Sequence, residues 1–270
     1  MRIITLLAMI FSFNVLAATV EQARELYATR AADESNALKA ADIYRQLADE
    51  AQDPLQKLVL KTSESEALYY VGEKYIQQNK KDDAIVIFER AHTSLGNTIT
   101  AVENRTDLTE NEKEVLAHAL YFFGANLGKW GQTRGVAASL FQWPTLRDRT
   151  NEILKLKKDY VNEYGAYRIL GRGYWTIPPL LGGDKVKALK YLQKAYANTL
   201  NDAGVCKNGT TNIYYADALV SDGKVDEAKK ILQDFIQFVE KNGPAALNAD
   251  KVPEILDELA ENKKALSALQ

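Results

Sequence analysis

A chain of 270 residues with 46% hydrophobic and 26% charged side chains and a formal net charge of −2 has an ordinary globular make-up. The near-neutral balance leaves no electrostatic footprint for nucleic acid and gives no hold on a membrane surface. Six prolines and fifteen glycines favour long helices over a turn-rich β-sandwich, and a lone cysteine, Cys206, excludes an intramolecular disulfide.

In chain order, Met1-Arg2 supplies a short positive end, residues 3–16 are mostly apolar, and Ala17 and Ala18 offer small residues for cleavage. This layout predicts a signal peptide over residues 1–18, with a periplasmic mature chain of one all-α domain over 19–270. The apolar run is short of the roughly 20 residues that span a bilayer, so no integral membrane span is expected. Ala-rich amphipathic stretches at 21–32 and 37–51 predict a first helix pair. Asp53-Pro54 is an N-cap with proline at the first helical position, opening a helix over 54–78. Leu68, Val71, Gly72, Tyr75, Ala84, Phe88 and Ala91 then resemble the tetratricopeptide pattern of a bulky residue, x2-L-G-x2-Y, alanine and x3-F. That resemblance implies helical hairpins stacked into a solenoid, an architecture suited to binding.

Residues 94–107 are a polar connector, partly a helical extension, and Thr109-x-x-Glu112 is a capping box. The following helix carries Leu116, Leu120, Phe123, Gly124 and Leu127. A second one carries Ala137, Leu140 and Trp143 and is expected to stop at Pro144, with a further helical period over 146–156. Tyr167, Leu170, Gly171 and Tyr174 repeat the first-helix offsets. The return helix, with Ala188, Leu192 and Ala195, starts about five residues late, after an insertion over 177–183 that feeds an Asp184 cap. The unit over 212–235 echoes the first signature. A final amphipathic helix over 253–269 is expected to cap the solenoid.

The stretches Ala119-Leu120-Tyr121-Phe122-Phe123-Gly124-Ala125-Asn126-Leu127-Gly128-Lys129-Trp130 and Gly165-Ala166-Tyr167-Arg168-Ile169-Leu170-Gly171-Arg172-Gly173-Tyr174, with Ile177-Pro178 and Leu181-Gly182-Gly183-Asp184, resemble the TatT family. Similar repeats occur in the regulator-of-microtubule-dynamics proteins. The TatT resemblance implies an all-helical periplasmic repeat protein that assists a tripartite ATP-independent periplasmic (TRAP) transporter of organic solutes. Lipoprotein members carry a cysteine after the signal, whereas Ala18 and Thr19 stand here.

No catalytic constellation or cofactor motif is legible. His92 and His118 are the only histidines, Leu181-Gly182-Gly183-Asp184-Lys185 lacks phosphate-loop spacing, and Glu110 and Glu112 read as a helix start. Cys206 reads as a passive thiol in a loop. The chain is therefore expected to be a binding module or scaffold, without enzymatic activity or cofactor. The first helices of successive hairpins line the concave face, which selects Tyr69 and Glu73, Tyr121 and Ala125, Arg168 and Arg172, Ile213 and Asp217, with Trp175, Tyr214 and Asn126 beside them. Two guanidinium groups one turn apart repel unless an anion or a neighbour such as Asp217 lies between them, so a small organic anion or a peptide carboxylate is an expected ligand. Expected protein partners are a periplasmic solute-binding or envelope protein. Self-association through the terminal helix or groove aromatics gives a possible homo-oligomer. The rival expectation is a general cell-envelope adaptor with an open groove and no small-molecule site.

Overall fold

The computed structural model describes residues 19–270; the expected leader over 1–18 lies outside them. Among the described residues there are eleven α-helices and no strand, apart from one isolated antiparallel bridge between Leu200 and Cys206. They are α1 (Val20–Ala28), α2 (Ser35–Glu50), α3 (Pro54–Gln77), α4 (Lys81–Thr100), α5 (Glu110–Arg134), α6 (Val136–Lys155), α7 (Val161–Thr176), α8 (Lys185–Asn198), α9 (Gly209–Ser221), α10 (Val225–Asn242) and α11 (Val252–Ser267). Sequence neighbours pack on one another throughout, and α5 also packs on both α3 and α7. No described helix is long and apolar enough to cross a membrane.

Local chemistry sets the helix ends. The Asp53 carboxylate accepts from the Gln56 N–H at 2.7 Å, ahead of Pro54, and Asp184 accepts from Lys187 at 2.9 Å. Thr109 and Glu112 form the reciprocal capping box that opens α5. The α3–α4 hairpin closes because Gly72 has no side chain: a Cβ there would lie 2.4 Å from Cε1 of Phe88, which is fully buried. Phe88 belongs to a core shared with Leu58, Leu95, Ile99, Leu120 and Ile153, and a second core joins α8, α9 and α10 through Leu192, Leu219 and Leu232.

The connector is in part a helical extension: α4 runs to Thr100 and absorbs half of it, because Leu95 and Ile99 reach the core. Two segments depart from expectation. Pro144 does not stop its helix: α6 continues to Lys155. Pro144 is exposed, while buried Trp143, Thr150 and Ile153 hold the helix on its neighbours. In the first turn of α7, Asn162, Glu163 and Tyr164 are left-handed, with φ of 47°, 57° and 58°.

The last helix packs its apolar side on the end of the stack, through Ile255 and Leu259 against Phe235 and Val239 and through Leu266 and Leu269 against the α8–α10 core. It also reaches back to the start of the chain. Arg30, just past α1, clasps Glu254 with Nε and Nη2 at 2.9 and 2.8 Å, and Lys74 of α3 meets Asp257 at 2.7 Å. The expected end cap is thus also a closure that joins the two ends of the stack.

Candidate functional site

The closure turns the groove into a chamber. One cavity of about 170 Å³ is walled by Tyr27 and Arg30, by α3 (Glu66, Tyr69, Glu73), α5 (Tyr121, Phe122), α7 (Glu163, Arg168), the start of α9 and α11. A second, of about 90 Å³, lies between α5, α6, α7 and α9. Tyr69, Tyr121, Arg168 and Thr210 line both and form the partition. The larger one matches in scale the roughly 150 Å³ engineered apolar cavity that holds benzene, so it suits a small organic molecule.

Arg168 dominates the partition. It is 5% exposed, and among the described residues it makes no ion pair. Its Nη2 donates to the Tyr121 hydroxyl at 2.9 Å and to the Asn162 carbonyl at 3.3 Å, and its Nη1 to Thr211 Oγ1 at 3.2 Å and the Glu163 carbonyl at 3.3 Å. Two of these acceptors come from the left-handed turn, which costs about 1–2 kcal/mol per residue outside glycine. Backbone strain is thus spent on aiming two carbonyls at a cation. A guanidinium stays protonated, its direct acceptors here are neutral, and the Glu163 and Glu258 carboxylates act on it only from beyond ion-pair distance.

Arg172, one turn on, is balanced. Its Nη1 donates to Asp217 at 2.7 Å, and its guanidinium lies 4.7 Å from the Trp175 ring and 4.4 Å from the Tyr214 ring. Lys185 covers Trp175 at 3.9 Å, and burial together with Arg172 pushes its ammonium below the usual range. The two arginines therefore do not share Asp217.

The other selected residues divide. Tyr69, Glu73 and Tyr121 line the larger cavity; Ala125, Arg172 and Tyr214 line the smaller, while Trp175 and Asp217 sit beside Arg172. Glu73 Oε2 takes Lys129 at 2.6 Å, but its Oε1 is buried without a partner. Burial works against the Lys129 charge, yet Glu73, Tyr69 and Tyr214 together outweigh it and the pKa is raised. Ile213 packs into the α8–α10 core. Asn126 does not belong to the groove: it is fully buried and ties α5 to α3 by donating to the Ser65 carbonyl and hydroxyl at 3.1 and 3.0 Å. Five residues after Tyr121 it points off the cavity face.

Sequence reasoning missed Glu66, Arg30, Glu163, Lys251, Glu254 and Glu258. Glu66 lies one turn before Tyr69 on the same face of α3, so the helical period could have found it. Lys251 donates to Asn162 Oδ1 at 2.8 Å and sits 3.9 Å from Glu163. Glu258 takes the Gly209 and Thr210 N–H groups at 2.9 and 3.2 Å, capping α9 with a carboxylate from another helix. A Cβ on Gly209 would come within 2.6 Å of Glu258 Cβ, so glycine lets α11 approach that closely. Burial pushes the Glu258 carboxyl above its ordinary range despite these donors.

Outside the chamber, burial pushes the Cys206 thiol up to about 11 and its Sγ donates to the Asn208 carbonyl, the state of an inert thiol. Burial lowers the pKa of both His92 and His118, and His92 packs edge-on to Phe123 and Trp130. No family model matches the chain, and no curated protein matches it.

Proposed function

We propose that the protein is a periplasmic binding module of the TatT type, which holds a small organic anion in its chamber and assists a TRAP-type solute transport system. The observation that carries this reading is Arg168: a buried cation without an ionic partner, placed where the two cavities meet. A ligand carboxylate would supply a counter-charge in direct contact, with the Tyr121 hydroxyl beside it. The transport role rests on the family-like stretches around residues 119–130 and 165–184, and export on the leader-like residues 1–18. An adaptor with no small-molecule site calls for an open groove, whereas here helices wall the chamber on several sides.

Native mass spectrometry on protein purified from its own cell envelope tests the reading. We expect a bound small molecule that Arg168→Gln loses and Arg172→Gln keeps, with circular dichroism confirming that both variants fold. A ligand-free native protein, or a bound mass indifferent to Arg168, overturns it. Recovery of a solute-binding protein on crosslinking supports the transport role, and recovery of envelope assembly factors alone counts against it.

A further inference from the structure

The larger cavity also carries a charge of opposite sign. Glu66, half-buried, faces it from α3 and, among the described residues, makes neither a hydrogen bond nor an ion pair with another side chain. Its cationic neighbours are already engaged: Arg30 is clasped by Glu254, and Lys251 is held by Asn162 and Glu163. Glu254 adds further negative charge nearby, and Tyr27 stands beside it under the Arg30 guanidinium. Two turns along the same face, the buried Glu73 Oε1 also lacks a donor. The α3 wall therefore presents unfilled acceptors next to the rings of Tyr69 and Phe122, the surroundings that suit an organic ammonium group.

Resting on the reading above that the chamber holds a ligand, we infer that the ligand is a compact zwitterion, its carboxylate at Arg168 and its ammonium at Glu66. Glu66 on α3 and Arg168 on α7 line the same cavity of about 170 Å³ from two different helices. One molecule of that size reaches both only if a short chain parts its two charges, as in an ω-amino acid. A simple monocarboxylate would satisfy Arg168 and leave Glu66 without a contacting counter-charge. A simple amine would do the reverse. Burial already pushes the Glu66 carboxyl above the usual carboxylate range, and an ammonium bound to it would draw it back down.

Isothermal titration of the full chain, stripped of any bound molecule and refolded, decides the matter with four probes: β-alanine, γ-aminobutyrate, butyrate and butylamine. One of the two ω-amino acids should bind at least roughly tenfold more tightly than butyrate or butylamine, since one desolvated charge pair is worth more than the 1.4 kcal/mol that a decade represents. Glu66→Gln should abolish that advantage and leave butyrate binding unchanged or improved, and Arg168→Gln should weaken the ω-amino acids and butyrate alike. Butyrate binding as tightly as the better of the two ω-amino acids, or a preference that survives Glu66→Gln, overturns the zwitterion while leaving the anion reading intact. Binding of none of the probes, in a protein that native mass spectrometry also finds empty, overturns both.

Discussion

Between α3 and α4 the contact is apolar and interdigitated, with the Phe88 ring filling the space that Gly72 leaves open. Where α11 and the turn before it close the chamber the contacts are ionic: Arg30 on Glu254 and Lys74 on Asp257 toward the first helices, and Lys251 on Asn162 and Glu163 toward α7. Both contacts build walls of the same chamber, yet they respond to different variables. Apolar burial is indifferent to salt and pH near neutrality, whereas half-exposed ion pairs are screened by salt and depend on protonation. The chamber thus has a permanent wall and a conditional one. The conditional wall also carries Glu258, which caps α9, the helix that places Thr210 on the partition between the cavities.

The largest expected effect tests the permanent wall. Phe88→Ala should cost about 3–5 kcal/mol in denaturant unfolding, the usual range for emptying a fully buried aromatic site, and the loss should be the same in low and high salt. A smaller or salt-dependent loss would show that the hairpin is not held by this packing.

A middling effect tests the conditional wall. Arg30→Met should cost about 2 kcal/mol, less than a fully buried pair because Glu254 is itself 32% exposed. Here the penalty should shrink as salt is raised, and hydrogen exchange should speed up in residues 249–258 before anywhere in α3 or α4. Equal exchange rates in the variant and the parent would mean that α11 is held by its apolar side alone.

Much of this was legible in the sequence, for reasons that mark where legibility ends. The Gly72–Phe88 contact, the Thr109 box and the Asp184 cap are local patterns, and local patterns survive without coordinates. Helical arithmetic put Tyr69, Tyr121 and Arg168 on one face, and all three line the cavities, but Asp217, expected between the two arginines, pairs with Arg172 alone. It failed at Asn126, taken from a family-like stretch and not from the face, and at Glu66, which lies just before the signature that begins at Leu68. The closure was illegible because it joins residues 224 positions apart, Arg30 and Glu254, by charges that have no periodicity. The left-handed turn was illegible as well: of Asn162, Glu163 and Tyr164 only asparagine is at ease there, so nothing but tertiary contacts with Arg168 and Lys251 sets it. Features that serve the site, in short-range terms, look like ordinary surface charge.

The smallest expected effect bears on Glu66 and has the opposite sign. Because burial raises its folded pKa, this group's contribution to stability is fully present below the ordinary glutamate range and is lost as pH rises through the raised value. Glu66→Gln should therefore match the parent below about pH 4 and melt at a higher temperature than the parent at pH 7. A stabilising change at a cavity carboxylate identifies a group kept for its ligand and not for the fold. Saturation with a bound ω-amino acid should reverse the order of the two melting curves at pH 7, since only the parent gains the ion pair. If Glu66→Gln destabilises the ligand-free protein at pH 7, Glu66 already has its counter-charge from Lys251 or Arg30, and the conditional wall then owes part of its strength to that carboxylate.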